Sequence, residues 1–204
     1  ENVEADDLIS YVVQHEEYED AIKIIVSSDK DFIQLLNDKT ILMRPVQDEI
    51  LNKNRVVEEF KIHPNNFALA RSIAGDKSDN LDGIKGVGLT SLANKFSFLA
   101  EEQRYTVDDI LEKCEVNKDD GKMYQNILNE KQKVYLNYQI MQLYQPNMSL
   151  QAQNKVDYIL DNFIAEFNKT DFLKSSILDG FADLNLNELF ATFNRIISDE
   201  KTAT

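Results

Sequence analysis

The sequence predicts an α/β segment followed by a mostly α chain, with a partial parallel sheet at the start and a helical region at the end. Three observations support this. Ala21-Ile22-Lys23-Ile24-Ile25-Val26 is a nearly continuous, β-branched apolar run, the signature of a buried strand in a parallel sheet. From Val56 onward apolar residues recur at helical spacing. Beyond Ala100 the chain is rich in Lys, Glu, Asn and Gln and carries neither repeat nor low-complexity tract.

Taken in order, residues 5–15 read as a short helix with Ala5, Leu8, Ile9, Val12 and Val13 on one face. The run Ala21 to Val26 follows as a strand, Asp31 to Leu36 as the start of a helix, and Ile41 to Val46 as a second strand ending near Pro45. Val56 to Ile62 reads as a helix closed by His63-Pro64. Asn65 or Asn66 would cap the next, through Phe67, Leu69, Ala70 and Ile73, ended by Gly75. A glycine-rich loop leads into a third helix, Leu89 to Phe98, and further helices are expected near 106–116, 121–144, 151–168 and 186–198. Asp199 to Thr204 are expected to fray. The chain divides on this reading into 1–50 (α/β), 51–100 (helices around the glycine-rich loop) and 101–204 (helical), and it begins in the middle of a doubly wound domain.

A hydrophobic content of 43% is enough to build a core. No apolar run approaches the roughly 18 residues of a membrane span, and the first residues show no basic patch followed by an apolar stretch, so no signal peptide is read there. Cys114 stands alone, which fits a reducing compartment. A cytoplasmic protein without membrane partners is expected, in the host cytoplasm if it is phage-encoded. The formal charge of −14 argues at first against nucleic acid. Its distribution softens that: residues 101–204 hold 18 acidic against 11 basic residues, whereas 71–95 carry Arg71, Lys77, Lys85 and Lys95 against Asp76, Asp79 and Asp82.

Three acidic clusters stand out. Glu4-Ala5-Asp6-Asp7 opens the first helix, where acids also serve as ordinary caps. Glu4 and Asp6 can converge only if Glu4 is extended and Asp6 lies in the first turn, because residues two apart on a helix diverge. Asp29-Lys30-Asp31 follows the first strand; in an extended segment its two aspartates would point the same way, at the strand end where open α/β sheets bind ligands, though a capped loop reads equally well. In Gly75-Asp76-Lys77-Ser78-Asp79-Asn80, a spacing of three puts Asp76 and Asp79 on one side of a helical turn, against the alternative of a solvated turn. Oxygen donors without His or Cys suit Mg²⁺ or Mn²⁺ rather than zinc. So many carboxylates need cations to sit together, and paired ions about 3.5–4 Å apart are the usual arrangement for phosphodiester cleavage.

Gly83-Ile84-Lys85-Gly86-Val87-Gly88 then opens the third helix. Its glycines permit close backbone approach and the helix start offers N–H groups to phosphate. Ile84 and Val87 would anchor the turn, and Lys85 and Lys95 would contact the phosphate. A dinucleotide site is the competing reading of Gly86-x-Gly88, and it is disfavoured because no strand precedes the loop and the third glycine is absent.

Glu4-Ala5-Asp6-Asp7, then Ser28-Asp29-Lys30-Asp31-Phe32, then Gly75-Asp76-Lys77-Ser78-Asp79-Asn80 through Gly88 resemble the successive motifs of the 5′-nuclease family. That family includes the exonuclease domain of bacterial DNA polymerase I, eukaryotic flap endonuclease and phage 5′-exonucleases. Within it, the helical remainder is most similar to the ribonuclease H of T-even phages. The resemblance implies a partial nuclease domain, with Glu4 and Asp6 on a first ion, Asp7 beside them as ligand or neighbour, Asp29 and Asp31 between the ions or on the second, and Asp76 and Asp79 completing it. Catalysis would rest on Glu4, Asp6, Asp29 and Asp31. Residues from about 56 to 98 would form a helix-three-turn-helix element gripping duplex DNA through Gly83, Lys85, Gly86, Gly88 and Lys95, with K⁺ held by hairpin carbonyls.

The implied activity is 5′–3′ exonuclease and 5′-flap cleavage on DNA or RNA–DNA duplexes, removing RNA primers in replication. Two departures stand out. The family carries a segment before the first cluster, with two further metal-binding aspartates and a basic helical arch, and Lys30 replaces a glycine common in the family. The chain is therefore expected to bind metal and duplex but to cleave weakly alone, as a fragment or one half of a split nuclease whose other half is a separate chain. A non-catalytic duplex-binding module is the alternative, and an acidic tail docking replication proteins is a further one. Against that docking role, Phe163, Phe167, Phe181, Leu184, Leu186 and Phe190 read as core. His15 and His63 read as surface or helix-end residues, and Tyr124, Tyr135, Tyr138 and Tyr144 as packing groups.

Overall fold

The computed structural model describes residues 3–163, 168–181 and 184–203. It divides into two compact units, Glu1–Gln153 and Asn154–Thr204. No helix among the described residues is long and apolar enough to cross a membrane.

The first unit opens with α1 (Ala5–Val13), followed by β1 (Lys23–Val26), β2 (Thr40–Arg44) and β3 (Glu49–Leu51). β1 runs parallel to β2, and β3 returns antiparallel to it. The expected parallel pair is present, but β1 is not the strand buried on both faces that its apolar run suggests. Ile25, Leu42 and Leu51 lie in one register row and are buried. The next row holds Val26, Met43 and Ile50, and on that face Ile24 and Val26 are 57% and 63% exposed. Side chains alternate along a strand, and the helices of this unit cover one face only.

Beneath the sheet, Asp31–Leu35 forms a 3₁₀ turn whose Phe32, Ile33 and Leu35 are buried. α2 (Lys53–Phe60) begins earlier than expected because Asn52 accepts a hydrogen bond from Arg55 N, a cap the apolar pattern does not mark. α3 (Phe67–Ala74) lies in the core and ends at Gly75, whose φ of 81° fits the expected stop. Asn66 is not a side-chain cap for α3. It is fully buried and donates Nδ2 to the carbonyls of Leu99, Glu101 and Gln103 at 3.2, 3.0 and 2.9 Å, while Oδ1 accepts from Tyr105 N at 2.9 Å. His63 is buried as well, rather than at the surface, and its Nδ1 caps the Pro64–Asn66 turn.

The two-residue strands β4 (Gly75–Asp76) and β5 (Leu81–Asp82) form a small hairpin. α4 (Leu89–Lys95), α5 (Val107–Val116), α6 (Lys122–Asn129) and α7 (Lys131–Met141) follow, so the span 121–144 is two helices broken at Glu130. Tyr124 is buried against Phe96, and Tyr144 lies 4.3 Å beneath the Arg104 guanidinium. Cys114 is buried, and desolvation pushes its thiol up to about 12.

α8 (Leu150–Asn162) spans the boundary into the second unit, which also holds α9 (Lys169–Leu178) and α10 (Leu186–Ala203). Sequence periodicity misses α9, which Asn168 caps through Thr170 N and Asp171 N. α10 continues to Ala203, so residues 199–203 are helical where fraying is expected. Phe172 meets Phe190 and Phe193 edge-to-face. Phe163, Phe181 and Leu184 are exposed rather than core. Phe167 and Thr204 lie outside the described residues.

Candidate metal centre

Three chain segments bring acids to one place, each by its own local geometry. Glu4 is extended (φ −74°, ψ 154°) immediately before α1 and makes no side-chain cap bond, so it is free to turn inward beside Asp6 in the first turn. Asp29 and Asp31 are not in an extended segment. Asp29 N donates to Ser27 Oγ and Asp29 Oδ1 accepts from Asp31 N at 2.9 Å, an Asx-type turn that leads into the 3₁₀ segment. Asp76 and Asp79 are not on a helix either: Asp76 ends β4 and Asp79 lies in the 77–80 turn of the hairpin.

That hairpin is held by two glycines packed backbone to backbone. A Cβ on Gly83 would fall 2.1 Å from Ala74 O, and one on Gly75 would fall 2.2 Å from Gly83 N. Gly83 thus packs against the end of the helix before it.

α7 joins the segments through buried amides. Asn137 Nδ2 donates to Ser72 O at 2.9 Å and Asp82 O at 3.1 Å, tying α7 to α3 and the hairpin. Gln34, beyond Asp31, donates to Met141 O at 3.0 Å and accepts from Leu143 N at 2.7 Å. Ser10 Oγ of α1 donates to Leu143 O, and Asp7 Oδ1 accepts from Asn147 N at 2.8 Å. Buried polar groups require partners, and here the partners fix where the acids stand. Sequence reading missed Gln34, Asn137 and Ser10 because nothing in their spacing separates a buried amide or hydroxyl from a surface one.

Glu4, Asp6, Asp7, Asp29, Asp31 and Asp79 line a single cavity of about 690 Å³, with Leu136, Gln139 and Ile140 of α7 on its other wall. Asp76 is not on that wall, but one of its oxygens lies within 4.8 Å of oxygens of Asp31 and Asp79. Burial, then the charges of Asp29, Glu4, Asp7 and Asp79, raises the Asp6 carboxyl above its usual range. Burial also raises Asp31, with Asp29 and Asp79 adding to the rise and Arg71 opposing it. Arg71 is the second feature that sequence reading passed over, counting it only as charge. It pairs with Asp31 at 3.0 Å and more closely with Asp76. An all-oxygen set whose charges help to raise the Asp6 and Asp31 carboxyls suits a hard divalent cation, and the residues present fit such an ion.

The DNA-contact candidates lie in the turn leading to α4. Ile84 and Val87 are buried anchors, as expected. Gly86 has φ 79°, and a Cβ on Gly86 or Gly88 would meet nothing within 4 Å, so the backbone there is open to a ligand. Lys85 and Lys95 are both exposed.

The family model of the 5′-3′ exonuclease, N-terminal resolvase-like domain, matches residues 1–61. A 5′-3′ exonuclease of Aquifex aeolicus is 35% identical over 91 residues, covering 45% of this chain and 32% of that protein. DNA polymerase I of Borreliella burgdorferi is 28% identical over 169 residues, covering 81% of this chain and 17% of that protein. The chain therefore spans about a third or less of these relatives. Among solved structures, the T5 5′-exonuclease with bound zinc aligns with a TM-score of 0.63 at 22% identity, covering 78% of this chain and 59% of that one. A bacteriophage T5 flap endonuclease in a pseudo-enzyme-product complex with DNA and metal ions aligns with a TM-score of 0.65 at 20% identity, over the same shares. At these identities the likeness is one of fold, an α/β start with a small sheet followed mainly by helices.

Proposed function

We propose, for a chain that belongs to the 5′-nuclease family, that it supplies the metal-binding carboxylates and the duplex grip of a 5′–3′ exonuclease and 5′-flap endonuclease acting in DNA replication. The observation that carries the reading is the convergence of six carboxylates from three separate segments on one cavity. Glu4, Asp6 and Asp29 would hold a first divalent ion, with Asp7 beside them, and Asp31 and Asp79, backed by Asp76, a second. Bound Mg²⁺ or Mn²⁺ would supply a water acidic enough to ionise near neutral pH and offset charge on the phosphoryl oxygens.

The chain's own residues do the rest. Asp29 shapes the turn that presents Asp31, and the hairpin held by Gly75 and Gly83 presents Asp79. Residues 51–100 would act as a helix-three-turn-helix element on DNA or RNA–DNA duplex carrying a 5′ end or flap. Lys85, Lys95 and the open backbone at Gly86 and Gly88 would meet the phosphates, and hairpin carbonyls would take K⁺. Phosphate contacts give affinity and register but no sequence preference, as suits a nuclease that reads structure.

The test is cleavage of a labelled 5′-flap duplex with Mg²⁺ or Mn²⁺ by protein containing this chain. Asp29→Asn and Asp79→Asn should each abolish cleavage with the fold retained by circular dichroism. A variant that keeps full rate would overturn the assignment.

A further inference from the structure

Among the described residues, the candidate metal centre contains one cation of its own, built asymmetrically into it. Arg71 is only 8% exposed, on a helix whose neighbouring residues are buried, and it directs its guanidinium at the acids. Nη2 lies 3.0 Å from Asp31 Oδ1 and also binds Asp76 Oδ2. Its buried Nε has no hydrogen-bond partner among the described residues. Asp76 is engaged at both oxygens, since Oδ1 accepts from Ser78 N at 2.9 Å and Ser78 Oγ at 2.5 Å. Among the described residues no ion pair reaches Glu4, Asp6, Asp7 or Asp29. Among the described residues, one half of the centre is therefore partly neutralised by an ion pair, and the other half is not.

We propose that Arg71 is a positioning residue that holds Asp31 and Asp76 together and, by its fixed charge, weakens the cation site that they form with Asp79. The centre would then have a stronger site beside Glu4, Asp6 and Asp29 and a weaker one beside Arg71. A guanidinium cannot shed its proton in a protein, so its repulsion of a neighbouring dication persists at every working pH. At separations of a few ångströms in a partly buried site, that repulsion is worth on the order of tenfold or more in affinity. Substrate phosphate would bring compensating negative charge, so the weaker site fills most readily with substrate in place. The inference rests on reading the cluster as a divalent-cation centre.

The experiment is calorimetric titration with Mn²⁺ of the unaltered protein, Arg71→Gln and Arg71→Lys. The expected result is two sites in the unaltered protein. In Arg71→Gln the weaker should tighten about tenfold or more, from the same Coulomb argument, while the stronger hardly changes. Arg71→Lys keeps the charge and should stay close to the unaltered protein. If the weaker site is unchanged or weaker in Arg71→Gln, or if Lys tightens it as much as Gln does, the inference is overturned while the metal centre stands. If the unaltered protein binds no Mn²⁺, both are overturned. Should Arg71→Gln not fold, the Arg71 Nε–H NMR signal of the unaltered protein decides during Mg²⁺ titration. Movement with the weaker isotherm supports the inference, and movement with the stronger one, or none, overturns it.

Discussion

Asp6 sits where burial and four neighbouring carboxylates all act on it in the same direction. A carboxyl whose folded pKa is raised contributes stability that is fully present below its unfolded pKa and is lost as pH rises through the folded value. Asp6 therefore costs stability at neutral pH in the absence of metal. Asp6→Asn should raise the metal-free melting temperature at pH 7, and the two proteins should converge below the ordinary carboxylate range. Scanning calorimetry across pH 3–8 checks this, and a lower melting temperature at pH 7 would contradict it. A group kept at a cost in stability is what a functional site looks like. The identities of the seven acids were legible in the sequence, because Asp and Glu in short clusters stand out without any three-dimensional information. How they converge was not. An Asx turn at Asp29 and a hairpin turn at Asp79 depend on hydrogen bonds that spacing alone cannot distinguish from strand or helix. Arg71 was invisible as a site residue for a related reason: its partners Asp31 and Asp76 come from two different clusters.

Single contacts decide the placement of whole elements. The Gly75–Gly83 contact sets the hairpin against the end of α3, so Gly83→Ala must move backbone and should cost roughly 2–4 kcal/mol. Gly88→Ala, where a Cβ meets nothing, should cost at most about 1 kcal/mol, through the cap position alone. Urea unfolding measures both, and equal costs would refute the packing argument. Asn66 ties the start of α3 to the 99–105 loop through four hydrogen bonds. Asn66→Ala leaves several buried groups unpaired and should cost roughly 2–4 kcal/mol; a loss under about 1 kcal/mol would mean that the loop re-pairs its carbonyls. The Lys85/Lys95 double alanine variant should weaken duplex binding and flatten its salt dependence by up to about 2 in log–log slope. An unchanged slope would remove the turn from the interface. Helices with apolar periodicity or a glycine stop were legible, α1 and α3 among them. The break at Glu130 was not, since no glycine or proline marks it, and neither was the start of α2, whose Asn52 cap precedes the apolar periodicity.

Six of the 36 acidic residues line one cavity, and on the proposed reading a bound divalent cation would offset their charge. Binding to the folded state alone stabilises it in proportion to the logarithm of ligand excess, so Mn²⁺ should raise the melting temperature and a chelator should reverse the gain. The exposed apolar face carrying Ile24, Val26, Met43 and Ile50 was not legible, because an apolar β-branched run reads as buried on both faces whichever face is covered. The overall order, α/β then helical, was legible from the change of hydrophobic period alone. The most direct measurement is anomalous diffraction from crystals grown with Mn²⁺. Peaks should lie in the cavity between the Glu4–Asp6–Asp29 side and the Asp31–Asp79 side. A cavity without a peak, or Mn²⁺ held only by acids elsewhere on this −14 chain, would contradict the account.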